Sequence, residues 1–243
     1  MRIAPLSVIA ACCLTVACTA HAEEAGSKPG NTAGAGETRQ VEDFHGVAVG
    51  HGIHAQVKVG PKSVRLEGPA ESLSRIRLVV EDGILTTEVD RKGFWSGLKG
   101  KVRLIVSSPK VTHVSASGGS HMEAEATAAD EFEAEASGGA ELNVRGVDAR
   151  EVDTDASGGA EVTLVGRAQK VEADVSGGSQ LHVRQLKGVT VLDVEASGGA
   201  VVEADAPGTV SGEASGGSVI HLTARPQNVN VEVSGGSRID SGN

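Results

Sequence analysis

Cysteine occurs three times in 243 residues, and Cys12, Cys13 and Cys18 all lie near the N-terminus. Past Cys18 neither a disulfide framework nor thiol chemistry is open to the chain. Aromatic residues make up 2% of it, with three Phe, one Trp and no Tyr. Stacking on nucleobases or sugar rings needs aromatic platforms, so that mode of recognition has little to work with. Positive charge is also scarce: 22 Lys and Arg stand against 32 Asp and Glu. Nucleic acids and anionic membrane surfaces demand a basic footprint, and a net acidic chain does not supply one. After the first residues no apolar run is long enough to cross a membrane.

The first residues read as a targeting segment. "MRIAPLSVIAACCLTVACTAHA" has a basic Arg2, an apolar run to about Cys18, and an A-x-A cleavage site at Ala20-His21-Ala22. We read residues 1–22 as a secretory signal peptide cut after Ala22. The competing reading takes "IAAC" or "TVAC" as a lipoprotein cleavage box, with Cys12 or Cys18 carrying lipid on an outer-membrane protein. Removing 1–22 takes away Arg2 and no acid, leaving 21 basic against 32 acidic residues. Residues 23–40, "EEAGSKPGNTAGAGETRQ", are small and polar and read as a flexible linker.

What the chain does have is a repeat. Ser-Gly-Gly recurs with Ser at 117, 137, 157, 176, 197, 215 and 234, at spacings of 20, 20, 19, 21, 18 and 19. A period near 20 over seven copies is the signature of a solenoid. Before each corner, apolar and acidic residues alternate: Phe132, Ala134 and Ala136 with Glu133 and Glu135; Val171, Ala173 and Val175 with Glu172 and Asp174. A period of two means strands with one buried face. After each corner a second apolar alternation follows, as at Leu142 and Val144 or Leu181 and Val183. Glycine accepts positive φ without strain, so each Gly-Gly pair turns a tight corner. The corner glycines are Gly118, Gly119, Gly138, Gly139, Gly158, Gly159, Gly177, Gly178, Gly198, Gly199, Gly216, Gly217, Gly235 and Gly236. The same corner in the same phase predicts an all-β parallel β-helix, a β-solenoid of about 20-residue rungs stacked one strand spacing apart. The β-helix domain is expected over residues 41–243. Within it, 41–110 is expected to supply N-terminal strands and a cap, with Glu81-Asp82-Gly83 as a turn, and 111–243 the repeat rungs. A cap is required because end rungs expose unpaired edges.

"FHGVAVGHGIHAQVKVG", "RIRLVVEDGILTTEV" and "VRLIVSSPKVTHVSASGGS", followed by recurring "SGG[SA]" corners, resemble the putative auto-transporter adhesin, head GIN domain family over about Val41 to Asn243. The resemblance implies a single-stranded right-handed β-helix in an exported bacterial envelope protein. It carries over no catalytic residue. No C-terminal translocator barrel is expected, so self-transport is not.

Three constellations are candidates for chemistry. The first is an acidic ladder: Glu135, Asp155, Asp174, Glu195, Glu213 and Glu232 two residues before the last six corners, with Glu133, Asp153, Glu172 and Asp193 four before. Like charges stacked on adjacent strands oppose stability, so such a face is expected to hold divalent cations or a basic partner, or else to keep an edge-rich protein soluble. Calcium, with its flexible oxygen geometry, is the cofactor it suits. The second is His182, Glu203 and His221, all six residues past a corner, a set suited to zinc or copper. The third is "RKGFWSGLKGK", where Phe94 and Trp95 either meet a partner or plug the solenoid end.

No base stands in phase with the corner serines to activate them as nucleophiles. The carboxylates form a row without a singular pair, and sugar-stacking aromatics are nearly missing, which argues against a polysaccharide-acting enzyme. The reading is an exported, non-catalytic, adhesin-like envelope module, in the periplasm or at the cell surface, whose partner is an envelope protein or glycan. A periplasmic structural or cation-binding solenoid is the second reading and an enzyme the third.

Overall fold

A computed structural model describes residues 35–90, 97–205 and 208–242. The expected signal peptide, with Cys12 and Cys18, lies outside the described residues, as do Phe94 and Trp95.

The N-terminal part contains β1 (Ala35–Thr38), β2 (Gly46–Val49), β3 (His54–Val59), β4 (Ser63–Gly68), the single helical turn α1 (Ala70–Leu73), β5 (Ile76–Glu81), β6 (Ile84–Val89) and β7 (Arg103–Ser108). The repeat region contains β8 (His113–Ala116), β9 (His121–Glu125), β10 (Ala129–Ser137), β11 (Glu141–Ser157), β12 (Glu161–Arg167), β13 (Lys170–Val175) and β14 (Gln180–Lys187). It continues through β15 (Val191–Ala196), β16 (Val201–Ala204), β17 (Thr209–Ala214), β18 (Val219–Leu222), β19 (Asn228–Val233) and β20 (Arg238–Ser241).

The expected β-solenoid is what forms. Each rung is one strand, a Ser-Gly-Gly corner and a returning strand, and the rungs stack in parallel into two facing ladders. Sheet B takes the strands before the corners: β8, β10, the second half of β11, β13, β15, β17 and β19. Sheet A takes those after: β9, the first half of β11, β12, β14, β16, β18 and β20. Register is strict beside the corner, where Glu141, Glu161, Gln180, Val201, Val219 and Arg238 align. Irregularities fall on the other side, between Arg145 and Val147 and between Thr163 and Val165. The corner is therefore the phase mark, and the far turn absorbs the variation in repeat length.

The interior is graded by size. Beside the corner stand small buried residues: Ala116, Ala136, Ala156 and Ala196 before it, Ser120, Ala140, Ala160, Ser179, Ala200 and Ser218 after it. One step further from the corner on sheet A, Met122, Leu142, Val162, Leu181, Val202 and Ile220 are fully buried. Val49 and Val175 are the larger exceptions before the corner; elsewhere the neck of the turn takes small side chains and the wider space away from it takes larger ones.

The first corner glycine is needed for two reasons. Gly177 has φ +74°, and a Cβ there would lie 2.7 Å from the Gly158 carbonyl oxygen of the rung below. Positive φ and stacked backbone each exclude a side chain.

The N-terminal part differs from expectation in four ways. First, β2 and β3 are not cap strands but a full rung inside the stack. They pair with β8 and β9 on one side and with β6 and β7 on the other. The corner of this rung is Gly50-His51-Gly52, with His51 at φ +63° in the place of the first corner glycine. Second, the chain then reverses over the outer end and returns past its own first rung before β8 begins. Third, the cap proper is antiparallel. β4 and β1 close sheet A beyond β7, and β5 closes sheet B beyond β6 through a two-residue Asp82-Gly83 turn with both φ positive. Leu66, Leu73 and Ile76 fill this end. Fourth, β1 lies inside the stretch read as a flexible linker. Its Ala35–Thr38 backbone adds a strand to β4, a partner that composition does not reveal.

Candidate functional site

Sheet alternation turns the acidic residues of the repeat outward on sheet B, and strict register stacks them. Along the row beside the corner, Glu135, Asp155, Asp174, Glu195, Glu213 and Glu232 are consecutive neighbours. Along the next row the order is His113, Glu133, Asp153, Glu172, Asp193, Ser211 and Asn230. A third row, Glu131, Glu151 and Lys170, extends the face one step further from the corner. The sequence pattern contained this third row, because the period-two alternation reaches back to Glu131 and Glu151. It stands six residues before the corner, beyond the four-residue reach of the ladder expected from sequence.

The rows are not alike. In the second row most carboxylates find a partner: His113 Nδ1 lies 2.6 Å from Glu133 Oε2, Lys170 pairs with Glu172 and, at 2.7 Å, with Glu151, and the Ser211 hydroxyl donates to Asp193 at 3.2 Å. Asp153 sits between them with one carboxylate oxygen buried and unpartnered. Burial, then a carboxyl–carboxyl hydrogen bond to Glu131 and the charges of Glu172, Glu131 and Glu151, push its carboxyl up to about 6. In the first row all six carboxylates are exposed, and among the described residues none makes a side-chain hydrogen bond or ion pair. Asp155 is nonetheless raised, by burial first and then by the charges of Asp174, Glu135 and Glu133. Asp153, Asp155, Glu172, Asp174, Asp193 and Glu195 line a shallow groove on this face.

Sheet A carries the second constellation. His182, Glu203 and His221 do stack in register, and Asp240 follows them. Each acid is already occupied: Glu203 Oε2 lies 3.2 Å from His182 Nδ1 and 3.3 Å from an Arg184 nitrogen, and Asp240 Oδ2 lies 3.0 Å from Arg238 Nε and 3.4 Å from His221 Nδ1. Nearer the cap, His54 and His121 stack with ring centroids 5.7 Å apart, and His121 Nδ1 meets Glu141 at 2.9 Å. A hydrogen bond from Asn143, with His121 beside it, holds the Glu141 carboxyl below its ordinary range.

Among the described residues, the group of three whose ligand atoms lie within 4.8 Å of one another is Glu151, Asp153 and Glu172. His182, Glu203 and His221 share a column without converging on a point. The six-membered row Glu135 to Glu232 is likewise a line, not a cage. Among the described residues the corner hydroxyls do not bond to one another; Ser117 Oγ turns to the Val49 carbonyl at 3.4 Å. The corner serines instead continue the backbone ladder, as where Ser176 N–H donates to Ala156 and Ser197 N–H to Val175.

The family described as "Putative auto-transporter adhesin, head GIN domain" matches residues 43–226. The chain belongs to this family. The match runs from the β2–β3 rung well into the repeat, so the solenoid described above is the family's domain. A solved structure named a putative adhesin from Bacteroides fragilis superposes with a TM-score of 0.79 at 16% identity, covering 87% of this chain and 98% of that one. A putative lipid binding protein from Parabacteroides distasonis gives 0.61 at 10% identity, over 88% and 98% of the two chains. A putative adhesin from Parabacteroides merdae gives 0.58 at 14%, over the same shares. At these identities the likeness is one of fold. No protein of curated function matches. Among the described residues no helix is long and apolar enough to cross a membrane.

Proposed function

We propose that this adhesin-family solenoid is an exported, non-catalytic interaction module of the cell envelope, and that it binds through the acidic face of sheet B. The observation that carries the reading is the first row, Glu135, Asp155, Asp174, Glu195, Glu213 and Glu232. These are six consecutive in-register carboxylates with no basic partner among the described residues. Adjacent like charges cost a few tenths to about 1 kcal/mol each. A fold that gives the acids of its other face His, Arg or Lys partners has left this row available to a basic surface, whose approach would relieve the repulsion. The family name, and the absence of a nucleophile–base pair in the two faces described, support binding over catalysis.

The test has two arms. Protease is applied to intact cells, with a known periplasmic protein as control. Digestion supports a surface role; protection until the outer membrane is opened removes adhesion as the direct role. Neutralising the six carboxylates to Asn and Gln is then expected to abolish attachment to basic surfaces with the fold intact. Attachment unchanged by that replacement would show that another face binds.

A second reading, a periplasmic solenoid that takes divalent cations, is favoured by the convergence of Glu151, Asp153 and Glu172. Lys170 already pairs with Glu151 and Glu172, so an incoming calcium ion would have to displace that ammonium or bridge the unpaired first row instead. A calcium-dependent rise in melting temperature, reversed by chelator, would support it; an identical melt with and without chelator would end it.

A further inference from the structure

On sheet A, the column beside the corner runs Arg103, His54, His121 and Glu141 on adjacent strands. β3 and β9 are distant in sequence, and only their pairing sets His54 directly beside His121. The two rings stand 5.7 Å apart, centroid to centroid, with their planes tilted by 43°. Glu123, two residues further along β9, turns out on the same face, and His54, His121 and Glu123 line one groove. We propose that these three side chains hold a zinc ion, with Glu141 and Asn143 orienting His121 behind it.

What decides is which nitrogen is free. His121 Nδ1 lies 2.9 Å from Glu141 Oε2 and donates its proton there. Glu141 is itself held from the other side, where Asn143 Nδ2 donates to Oε1 at 3.0 Å. The neutral imidazole then keeps its lone pair on Nε2. That nitrogen lies 3.9 Å from Glu123 Oε1, beyond hydrogen-bond reach. A tetrahedral zinc ion bound by both at about 2.0–2.1 Å would hold them about 3.3 Å apart, so a small closure of the Glu123 side chain completes the pair. A carboxylate behind the imidazole and a metal in front of it is the arrangement that fixes a histidine ligand. His54 supplies the third donor. Its side chain is exposed and rotates towards the ion within the groove.

Arg103 flanks His54 on the cap side and repels a cation there. The ion's place is therefore on the other side of His54, where Glu123 and Glu141 bring two negative charges. Two imidazoles and a carboxylate favour zinc over calcium, which takes oxygen donors. The column of His182 and His221 is less suited. Glu203 separates the two rings by a rung, and Arg184 already meets Glu203 at 3.3 Å. The zinc site lies on the face opposite the acidic rows and stands whether or not those rows bind a basic surface.

Isothermal titration calorimetry with zinc chloride is the test, on the full chain without a histidine tag and after chelator treatment, with circular dichroism melts to confirm folding. One zinc per chain is expected, at micromolar affinity or tighter. His54→Ala, His121→Ala and Glu123→Gln should each weaken binding about tenfold or more, and Glu141→Ala about tenfold. His182→Ala should leave binding unchanged. Nitrogen NMR of the histidine rings separates the roles: zinc should shift His121 Nε2 while Nδ1 keeps its proton, and Glu141→Ala should abolish that preference for one tautomer. No zinc uptake at submillimolar zinc, uptake indifferent to His54→Ala and His121→Ala, uptake lost in His182→Ala, or coordination through His121 Nδ1 would each overturn the proposal.

Discussion

The two outer faces of the solenoid are built on the same rungs and differ in how they handle charge. On sheet A, acids and bases alternate along one column, His182, Glu203, His221 and Asp240, with partners above, below or alongside, and Glu161 of the neighbouring column lies 3.7 Å from His182. On sheet B, six carboxylates follow one another without a base. A stacked repeat amplifies whatever it writes at one position, since each residue has a copy about one strand spacing away. The same geometry that lets acids on one face find partners in the next rung makes the other a line of charge. A self-neutralised face asks nothing of a partner, and a charged one does.

The largest effect is expected where both faces are broken at once. Gly177→Ala combines left-handed backbone with a Cβ 2.7 Å from a carbonyl oxygen, and should cost roughly 2–4 kcal/mol in chemical denaturation. Gly139→Ala also has positive φ but meets nothing within 4 Å, and should cost only about 1–2 kcal/mol. Equal losses would show that stacked backbone at the corner does not matter.

The faces should then part with pH. Asp153 and Asp155 have carboxyls raised in the folded chain, so folding takes up protons there. Stability should rise as pH falls from neutral through about 6, where the Asp153 carboxyl takes up its proton, because their charged forms are the penalised ones. Glu141 and Glu151 are held low and lose their stabilising contacts only when protonated at more acid pH, which turns the trend over. A melting temperature that falls steadily from pH 7.5 to 5.5 would contradict this account. In Asp153→Asn the rise through pH 6 should shrink.

The smallest effects should differ in sign. Asp155→Asn removes one like-charge neighbour on each side and should stabilise by a few tenths of a kcal/mol at neutral pH. Glu203→Gln removes the partner of His182 and Arg184 and should destabilise by about 0.2–1 kcal/mol. If both moved stability the same way, the contrast between the faces would be lost.

Much of this was legible before any coordinates. The phase of Ser-Gly-Gly told where corners fall, and period-two alternation told which residues face in and which stack outward, down to the pairs Glu135–Asp155 and His182–Glu203. The β2–β3 rung was not legible, because its corner is Gly50-His51-Gly52 and a histidine in left-handed conformation leaves no trace of the repeat. Nor was the strand β1, whose composition is that of a linker and whose only reason to be a strand is the open edge of β4. The one-turn helix α1 is too short to show a stripe.

For the site, local sequence placed every carboxylate of the ladder and could not say which were compensated. That depends on where Lys170, His113 and Ser211 fall relative to neighbours about twenty residues away in sequence. The sequence by itself determined the rung, its corner, its two faces and the acidity of one of them, because a repeat in phase with its own turn leaves each residue one position to occupy. Only the tertiary structure decided the order of rungs at the N-terminal end, the identity of the cap and the raised carboxyl of Asp153. These are set by contacts between segments with no repeat in common, which no local pattern records.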